Sequence, residues 1–532
     1  MRRLAQELAV FAFFLALAVL MTWPHVGDMT GRTLWGVDPI IDQYAVHWVA
    51  SHALDPSQLL GGNIFYPAPH GVLASDLCLG TAFLMIPIRA FVSDPIPLYN
   101  VAVLIALAFS GWAFHALVRG LTGSVWAGVL TGVLASYASH QMLHIDNLNL
   151  LSTGWLPLFL LALQRMLERP RPGHVVLAGI SFVLTALSTG YYAVATVIVA
   201  LCFLAWHARE WRRASLLAAC LAALLATLLM LPYLHAYATM GEDAPVRRSI
   251  ELSVQTAFMP ERDLKSYALL YRHVVGAADR RSLNQDVSFP GQGFFPGLIA
   301  PVLAIVAVAR RRPRAGFYVF VIAVLLWVSL GPRGGLYRLV FAIPGFSSMR
   351  HPYSFAAVAA LLLPVLAGLG WASLRLAARP WAGPLIVALA VIETLPPAPR
   401  FADWPRGVPP AYAAIAALPP GPILEIPVLN YETMLWAARH GQPVLNGTGA
   451  FVPRPTQRLR RAIDAEWLVP QPGDIDKSTP TAMLLALGAR YVIVPVGRWT
   501  DVKPLAAAFD RSSVFALAAV AADGDRVYVV RR

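Results

Sequence analysis

Residues 1–395 predict an α-helical polytopic membrane protein, and residues 396–532 a small extracytoplasmic α/β domain. Three observations carry this reading. The 532-residue chain is 57% hydrophobic and 13% charged, with a mean hydropathy of +0.59, whereas a soluble protein carries about a quarter charged residues. Apolar runs close to the roughly 20 residues that cross a bilayer recur as far as residue 395. Beyond residue 396 they give way to short helix–turn–strand patterns.

The N-terminal stretch "MRRLAQELAVFAFFLALAVLMTW" places Arg2 and Arg3 before a long apolar core. No small-residue cleavage pattern follows, so it reads as an uncleaved first span with a cytoplasmic N-terminus. About eleven spans follow from the apolar runs: 5–22, 98–117, 124–142, 150–166, 174–189, 192–207, 214–234, 293–309, 316–331, 353–371 and 381–395. The segments then assigned to the cytoplasm contain the arginine clusters "RPRPGH" (169–174), "HAREWRR" (207–213) and "RRRPR" (310–314). That is the positive-inside bias. It accounts for the net charge of +13 as topology, and no nucleic-acid partner is implied. Cys78, Cys202 and Cys220 are scattered and give neither a disulfide framework nor a metal-ligand spacing.

The outer face receives the loops 23–97, 143–149, 235–292 and 332–352 and everything after 396. This parity requires that 77–92, "LCLGTAFLMIPIRAFV", does not cross. It is short and interrupted by Pro87, so it is expected to be interfacial or re-entrant.

The first outer loop opens with "WGVDPIIDQYAVHWVASHAL" (35–54). Ile41, Tyr44, Ala45, Trp48 and Val49 fall at helical spacing, which predicts a short amphipathic helix lying along the membrane surface. The spacing of four puts Asp38 and Asp42 one turn apart on neighbouring positions. Two readings stay open at this point. Asp38 before Pro39 is a natural N-cap, with proline at the first helical position, and Asp42 is then a solvated residue. Alternatively, both carboxylates serve a site at the outer membrane boundary.

"HQMLHIDNLNLLSTGW" (140–155) sets His144, Asp146 and Asn147 between two spans, as a polar turn or as a binding loop. "GFSSMRHPYSF" (345–355) sets Arg350 and His351 at the start of another span. An outer arginine runs against the charge bias. Either it snorkels to headgroups or its forked donors recognise phosphate. Arg247, Arg248, Lys265 and Arg272 in the loop 235–292 read as solvated, with an anionic substrate as the alternative.

After residue 396, "YAAIAALPPGPILEIPV" (412–428) and "TAMLLALGARYVIVPV" (481–496) each read helix, turn, strand. "VFALAAVAADGDRVYVV" (514–530) reads as a hairpin around Asp-Gly. "NGT" at 446–448 matches a glycosylation sequon. No phosphate-binding glycine loop, nucleophile elbow or metal-ligand cluster is legible here.

Together, "VDPIIDQYAVHWVASHAL", "NIFYPAPHGVLASD", "HIDNLNLLSTGWLPLFLLAL", "RHPYSFAAVAALLLPVLAGLG", "LEIPV" and "LGARYVIVP" resemble, in order and spacing, the GT-C superfamily of polytopic glycosyltransferases. The resemblance implies a GT-C-like fold of the bacterial inner membrane. It also implies transfer of a sugar from a polyprenyl-phosphate carrier to a glycan, lipid or protein acceptor on the extracytoplasmic face. The family's acidic residue after the first span is matched by Asp38. Asp42 has no fixed counterpart, and His144 and Asp146 match a second polar position in the next outer loop. "VDPIID" only approximates the family's paired acidic motif, so no cofactor is implied outright and a divalent metal ion stays open. On this resemblance Asp38 and Asp42 are the catalytic candidates, and His144, Asp146, Asn147, Arg350 and His351 the substrate-binding ones. Other classes are a lipid-linked-glycan transporter or flippase and a non-catalytic envelope scaffold. Transporters tend to show internal repeats and ionisable groups at the midplane. Here no repeat is evident, and the acids lie in outer loops.

Overall fold

A computed structural model describes residues 2–240, 250, 252–259, 293–343 and 351–531. The chain begins with α1 (Arg2–Met21), β1 (Arg32–Leu34), α2 (Asp38–Ser51), α3 (Leu79–Arg89), α4 (Pro95–Thr122) and α5 (Val125–Ser136). Next come α6 (Ser139–Leu143), α7 (Leu148–Leu151), α8 (Trp155–Glu168), α9 (Pro172–Ala186), α10 (Gly190–Trp206) and α11 (Arg213–Thr239). Short α12 (Leu252–Gln255) precedes α13 (Ile299–Ala309), α14 (Ala315–Ser329), α15 (Leu336–Phe341), α16 (Tyr353–Trp371) and α17 (Ala382–Glu393).

Every segment read as a span overlaps a helix. Among the described residues five stretches are long and apolar enough to cross a bilayer: Leu4–Met21, Pro95–Thr122, Leu148–Glu168, Arg213–Thr239 and Tyr353–Trp371. The helices at the other six predicted spans run from 11 to 17 residues. The segment expected not to cross contains α3, a helix of 11 residues and about 16 Å, roughly half of a bilayer core.

Small residues let these helices approach closely, as membrane packing requires. Phe14 of α1 is fully buried between Gly111 of α4 and Gly132 of α5, where a Cβ on either glycine would collide with its ring. The Tyr137 hydroxyl donates to the Phe14 carbonyl at 3.0 Å. Near the start of α1 and the end of α4, Arg119 donates to Glu7 at 2.5 Å and to Gln6 at 2.7 Å. Trp112 Nε1 reaches the other Glu7 oxygen at 3.2 Å.

The last part of the chain contains β2 (Phe401–Asp403), α18 (Pro410–Ala416), β3 (Ile423–Glu425), α19 (Glu432–His440) and α20 (Arg454–Glu466). It ends with α21 (Thr479–Leu487), β4 (Tyr491–Val494), α22 (Lys503–Phe509), β5 (Phe515–Val520) and β6 (Arg526–Val530). The sheet order is β3-β4-β6-β5, with β3 and β4 parallel and the other pairs antiparallel. The expected turns are in place: Gly488 ends α21 at φ 70° and Gly524 turns the β5–β6 hairpin at φ 88°. Leu424, Ile426, Val492, Val494 and Tyr528 face α20, α21 and α22 in one core. The alternate residues Ile423, Tyr491, Ile493 and Val527 join the core of the membrane part and its first outer loop, as a strand period of two requires. The sequon asparagine is a structural residue. Asn446 is fully buried, donating to the carbonyls of Glu425 (2.7 Å) and Val428 (2.9 Å) and accepting from Glu425 N–H at 2.8 Å.

Beneath the sheet sits a charged cluster. Arg498 Nε lies 2.7 Å from Asp525 Oδ2, and its Nη2 lies 2.8 Å from Glu425 Oε1, a close ion pair whose N–H is not aligned for a hydrogen bond. The Tyr412 hydroxyl donates to Glu425 at 2.5 Å. Burial pushes the Glu425 carboxyl up, while Arg498 and Tyr412 pull it back. Removing the cation leaves two buried carboxylates facing each other. Arg498→Met is expected to destabilise this part of the chain by about 3 kcal/mol, measured by pulse proteolysis of the purified protein across a urea series. An unchanged midpoint would show that the cluster contributes nothing.

Candidate active site

The first outer loop is enclosed on both sides. β1 pairs antiparallel with β2, with Arg32 opposite Asp403. Phe65 and Tyr66 donate their amides to the carbonyls of Asn446 and Val444 at 2.9 Å each. Asn63 accepts from the Tyr44 hydroxyl (2.9 Å) and donates to the carbonyls of Ala437 (2.9 Å) and Gln442 (3.1 Å). Arg439 grips Asp94, the N-cap of α4, with Nε at 2.9 Å and Nη2 at 3.2 Å. The boundary at residue 396 is therefore a change of composition, while the packing runs across it.

This corrects the expectation for α2. Rather than lying on the membrane surface, the helix is buried along nearly its whole length, with only Asp38, Trp48 and Ser51 reaching the surface. Its polar residues Gln43 and His47 are buried too. His47 Nε2 lies 3.2 Å from the Ser93 carbonyl, and burial, with the Arg89 charge second, pushes its pKa down to about 4.

α2 starts at Asp38 with Val37 in the cap position, and the Ile40 and Ile41 amides both go to the Val37 carbonyl. The N-cap reading of Asp38 is thus replaced: Asp38 is the first helical residue, and it is exposed. Beside it, Gly36 has φ 144° and passes so close that a Cβ there would lie 3.3 Å from Asp146 Oδ2 and 3.2 Å from Pro39 Cδ. The bare glycine brings the second outer loop up to the start of α2. Asp42, one turn on, is only 3% exposed. It accepts from the Leu148 amide at 2.7 Å and from the Cys78 thiol at 3.3 Å. Burial raises its carboxyl well above the ordinary value, and the Asp38 charge adds to this. Two carboxyls one turn apart therefore differ in environment, one facing outward and one tying three segments together.

A third carboxylate escaped the sequence reading. Asp76 accepts from Asn149 Nδ2 at 2.7 Å, Thr189 Oγ1 at 3.0 Å and the Gly190 amide at 3.2 Å. It joins three outer loops and meets the positive N-terminal end of α10. The signal was present, because "NIFYPAPHGVLASD" ends on it.

The other candidates form a second group. His144 Nδ1 lies 3.0 Å from the His140 carbonyl, and their rings are 4.5 Å apart. His140 stacks on Phe294 at 4.6 Å, and Phe294 lies 6.2 Å from Tyr353, which stacks on His351 at 5.0 Å. His144 and His351 thus sit at the two ends of one aromatic chain. Asn147 caps α7, and the Asp146 carbonyl lies 3.3 Å from the Tyr99 hydroxyl. Arg350, Arg247, Arg248, Lys265 and Arg272 lie outside the described residues. Among the described residues no group of three or more His, Cys, Asp or Glu has metal-holding geometry. The carboxylates among the described residues do not form a multidentate metal centre.

No family model matches the chain, and no curated protein matches it. Solved structures do. The arabinofuranosyltransferase AftD from Mycobacteria matches at a TM-score of 0.55 and 14% identity, covering 98% of this chain and 41% of that one. This chain thus spans about two fifths of that enzyme's length. An archaeal oligosaccharyltransferase, AglB from Archaeoglobus fulgidus, in complex with an inhibitory peptide and a dolichol-phosphate, matches at 0.47 and 13% identity, covering 99% and 74%. The chain is a multi-pass membrane protein with a GT-C-like fold.

A carboxyl with a raised folded-state pKa keeps a proton that the unfolded chain releases. Its contribution to stability is complete below about pH 4 and is lost as the pH climbs through the raised value. Asp42→Asn is therefore expected to stabilise the protein by about 1–2 kcal/mol at about pH 8, a gain that fades toward about pH 4. Thermal unfolding at both pH values measures it, and a loss of stability at the higher pH would refute the account of Asp42. Asp76→Ala strips three donors of their acceptor. It should cost about 1–3 kcal/mol and speed amide exchange in residues 148–152 and 188–193, whereas unchanged exchange would mean the loops are held elsewhere.

Proposed function

We propose that the chain is an inner-membrane glycosyltransferase that moves a sugar from a polyprenyl-phosphate carrier to an envelope glycan, lipid or protein acceptor on the extracytoplasmic face. The observation that carries this reading is the exposed Asp38 at the first position of α2, set over the buried Asp42 within a GT-C-like fold. An acceptor hydroxyl must lose its proton as it attacks, and a carboxylate within hydrogen-bond reach takes it. In this scheme Asp38 accepts that proton and the acceptor oxygen bonds to the anomeric carbon. The bond from that carbon to the carrier's phosphate oxygen breaks, and the phosphate leaves with the electron pair. Asp42 acts through position rather than contact. By holding the Leu148 amide and Cys78, it fixes α2 against the second outer loop and so sets where Asp38 stands. Asp146, beside Gly36, Asn147 and His144 contribute to the sugar and acceptor side.

Charge develops on the departing phosphate, and a preorganised cation or helix N-terminus stabilises it. We assign that role to Arg350 and His351, which precede α16. Support comes from the ring chain that links His351 to His144 and hence to the second outer loop.

The test compares a deletion strain restored with wild type or with Asp38→Asn, at matched protein levels. Envelope glycans and polyprenyl-phosphate sugars are read by mass spectrometry. One sugar is expected to vanish on deletion, to return with wild type and to stay at least about a hundredfold reduced with Asp38→Asn. Full restoration by Asp38→Asn removes Asp38 from the chemistry. A chemically complete glycan retained on the wrong side of the membrane indicates lipid flipping instead.

A further inference from the structure

The C-terminal α/β part carries a feature that the proposed reaction does not use. α20, "RPTQRLRRAIDAE", holds Arg454, Arg458, Arg460 and Arg461 within eight residues. Its apolar side, Leu459 and Ile463, is buried in the second core, so the helix is anchored and its arginines at 458, 460 and 461 are exposed. Arg460 and Arg461 line a pocket of about 190 Å³ together with Gln457, Leu429 and Val452.

At about 30 Å³ per water, that volume holds roughly six waters. It suits one anionic group and is too small for a folded partner. Gln457 is committed to one wall, donating to the Val452 carbonyl at 2.7 Å. Asp464 holds Arg460 Nε at 3.3 Å in a half-exposed i,i+4 pair, the weak kind that a competing anion displaces. Arg461 makes no ion pair among the described residues. The nearest other acid on the helix, Glu466, is occupied by the Thr479 amide at 2.8 Å. Leu429 and Val452 give an apolar lining that strengthens a charge-assisted bond by excluding water.

The location gives the pocket a purpose. Val452 follows Phe451, whose amide donates to the Ala74 carbonyl at 3.3 Å. Thr448 and Ser75 border one packed seam with Ile41 of α2. The pocket wall is therefore continuous with the segment that carries Asp76 and, through Ile41, with the helix that starts at Asp38.

We infer that the Arg460–Arg461 pocket is a subsite for an anionic group of the acceptor glycan, a phosphodiester or a carboxylate, held while a neutral unit of the same chain reaches Asp38. The assignment of the ligand as acceptor rests on the transferase reading. Two adjacent guanidinium groups offer forked donors matched to phosphate and carboxylate oxygens. An extended polyanion bridges the pocket and the membrane boundary, which a small free anion cannot do.

Binding is measured without turnover, by thermophoresis of the full-length protein in nanodiscs of zwitterionic lipid at low ionic strength. The probes are an oligomeric glycerol phosphate, an oligogalacturonate and, as the neutral control, a malto-oligosaccharide. The expected result is binding of an acidic probe to wild type and to Asp38→Asn, weakened roughly tenfold or more in the Arg460→Gln/Arg461→Gln double variant. Arg458→Gln, outside the pocket, should change affinity by less than about twofold. The tighter acidic probe then identifies the anion as phosphate or carboxylate. Equal losses in Arg458→Gln, equal binding of the neutral probe, or no acidic binding each overturn the subsite. Because the readout needs no catalysis, a silent Asp38→Asn in the host strain sinks the transferase reading while leaving this result standing, and the reverse also holds.

Discussion

One requirement governs this region: residues 63–65 of the loop between α2 and α3 are buried, so their backbone polar groups must be paired inside the protein. No regular sheet does this for residues 63–66. Instead the amides of Phe65 and Tyr66 go to the Asn446 and Val444 carbonyls, and Asn63 spans from Tyr44 to Ala437 and Gln442. Asn446 in turn satisfies the turn after β3. Two asparagines therefore do the work of a strand. The enclosure of α2 follows, because with the loop on one side and α19 and the sheet on the other no face of the helix is left for the membrane surface. Asp38 projects because it is the end residue of an element whose remainder is covered.

What the sequence made legible is what depends on short-range periodicity. The apolar runs marked the helices, and "ALGARYVIV" and "ADGDRVYVV" marked strands through a glycine stop and an Asp-Gly turn. What it hid depends on partners far along the chain. α2 reads as amphipathic from Ile41, Tyr44, Ala45, Trp48 and Val49, yet its polar residues Gln43 and His47 are buried as well. Asp76 looks like any loop aspartate until Asn149 and Thr189 are brought to it. Asn446 fits a sequon, but its amide is consumed by three carbonyls. Sequence spacing reports the faces of an element. It does not report what will cover them.

The carboxylates of the outer face share a further pattern. In the topology that the sequence predicts, α4, α8, α10, α13 and α16 all start from the outer side. Asp94 caps α4 through the Ile96 amide at 2.9 Å, and Asp42 takes the Leu148 amide of the short α7 that leads into α8. Asp76 takes the Gly190 amide of α10, and Glu393 takes the Leu298 amide before α13 at 2.6 Å. Each helix that enters from this side presents unpaired amides and the positive end of its dipole. In four of the five a carboxylate, three of them from a remote segment, answers it. This gives Asp42, Asp76 and Asp94 structural roles in a chain with so little charge.

The fifth start, α16, differs. Its first amide, that of Tyr353, goes to the Thr256 carbonyl at 3.3 Å, and the residues before it are Arg350, His351 and Pro352 rather than an acid. A helix start preceded in sequence by an arginine rather than an acid becomes electrostatically favourable when an anion arrives. The proposed reaction delivers such an anion, because the carrier's phosphate gains charge as the sugar leaves. The same reasoning separates Asp38 from its neighbours. Asp42, Asp76, Asp94 and Glu393 each spend an oxygen on a helix start, whereas Asp38 is itself the start of α2 and faces outward. In the proposed reaction the outward-facing Asp38 and the start of α16 act on substrate together with Asp146, Asn147 and His144.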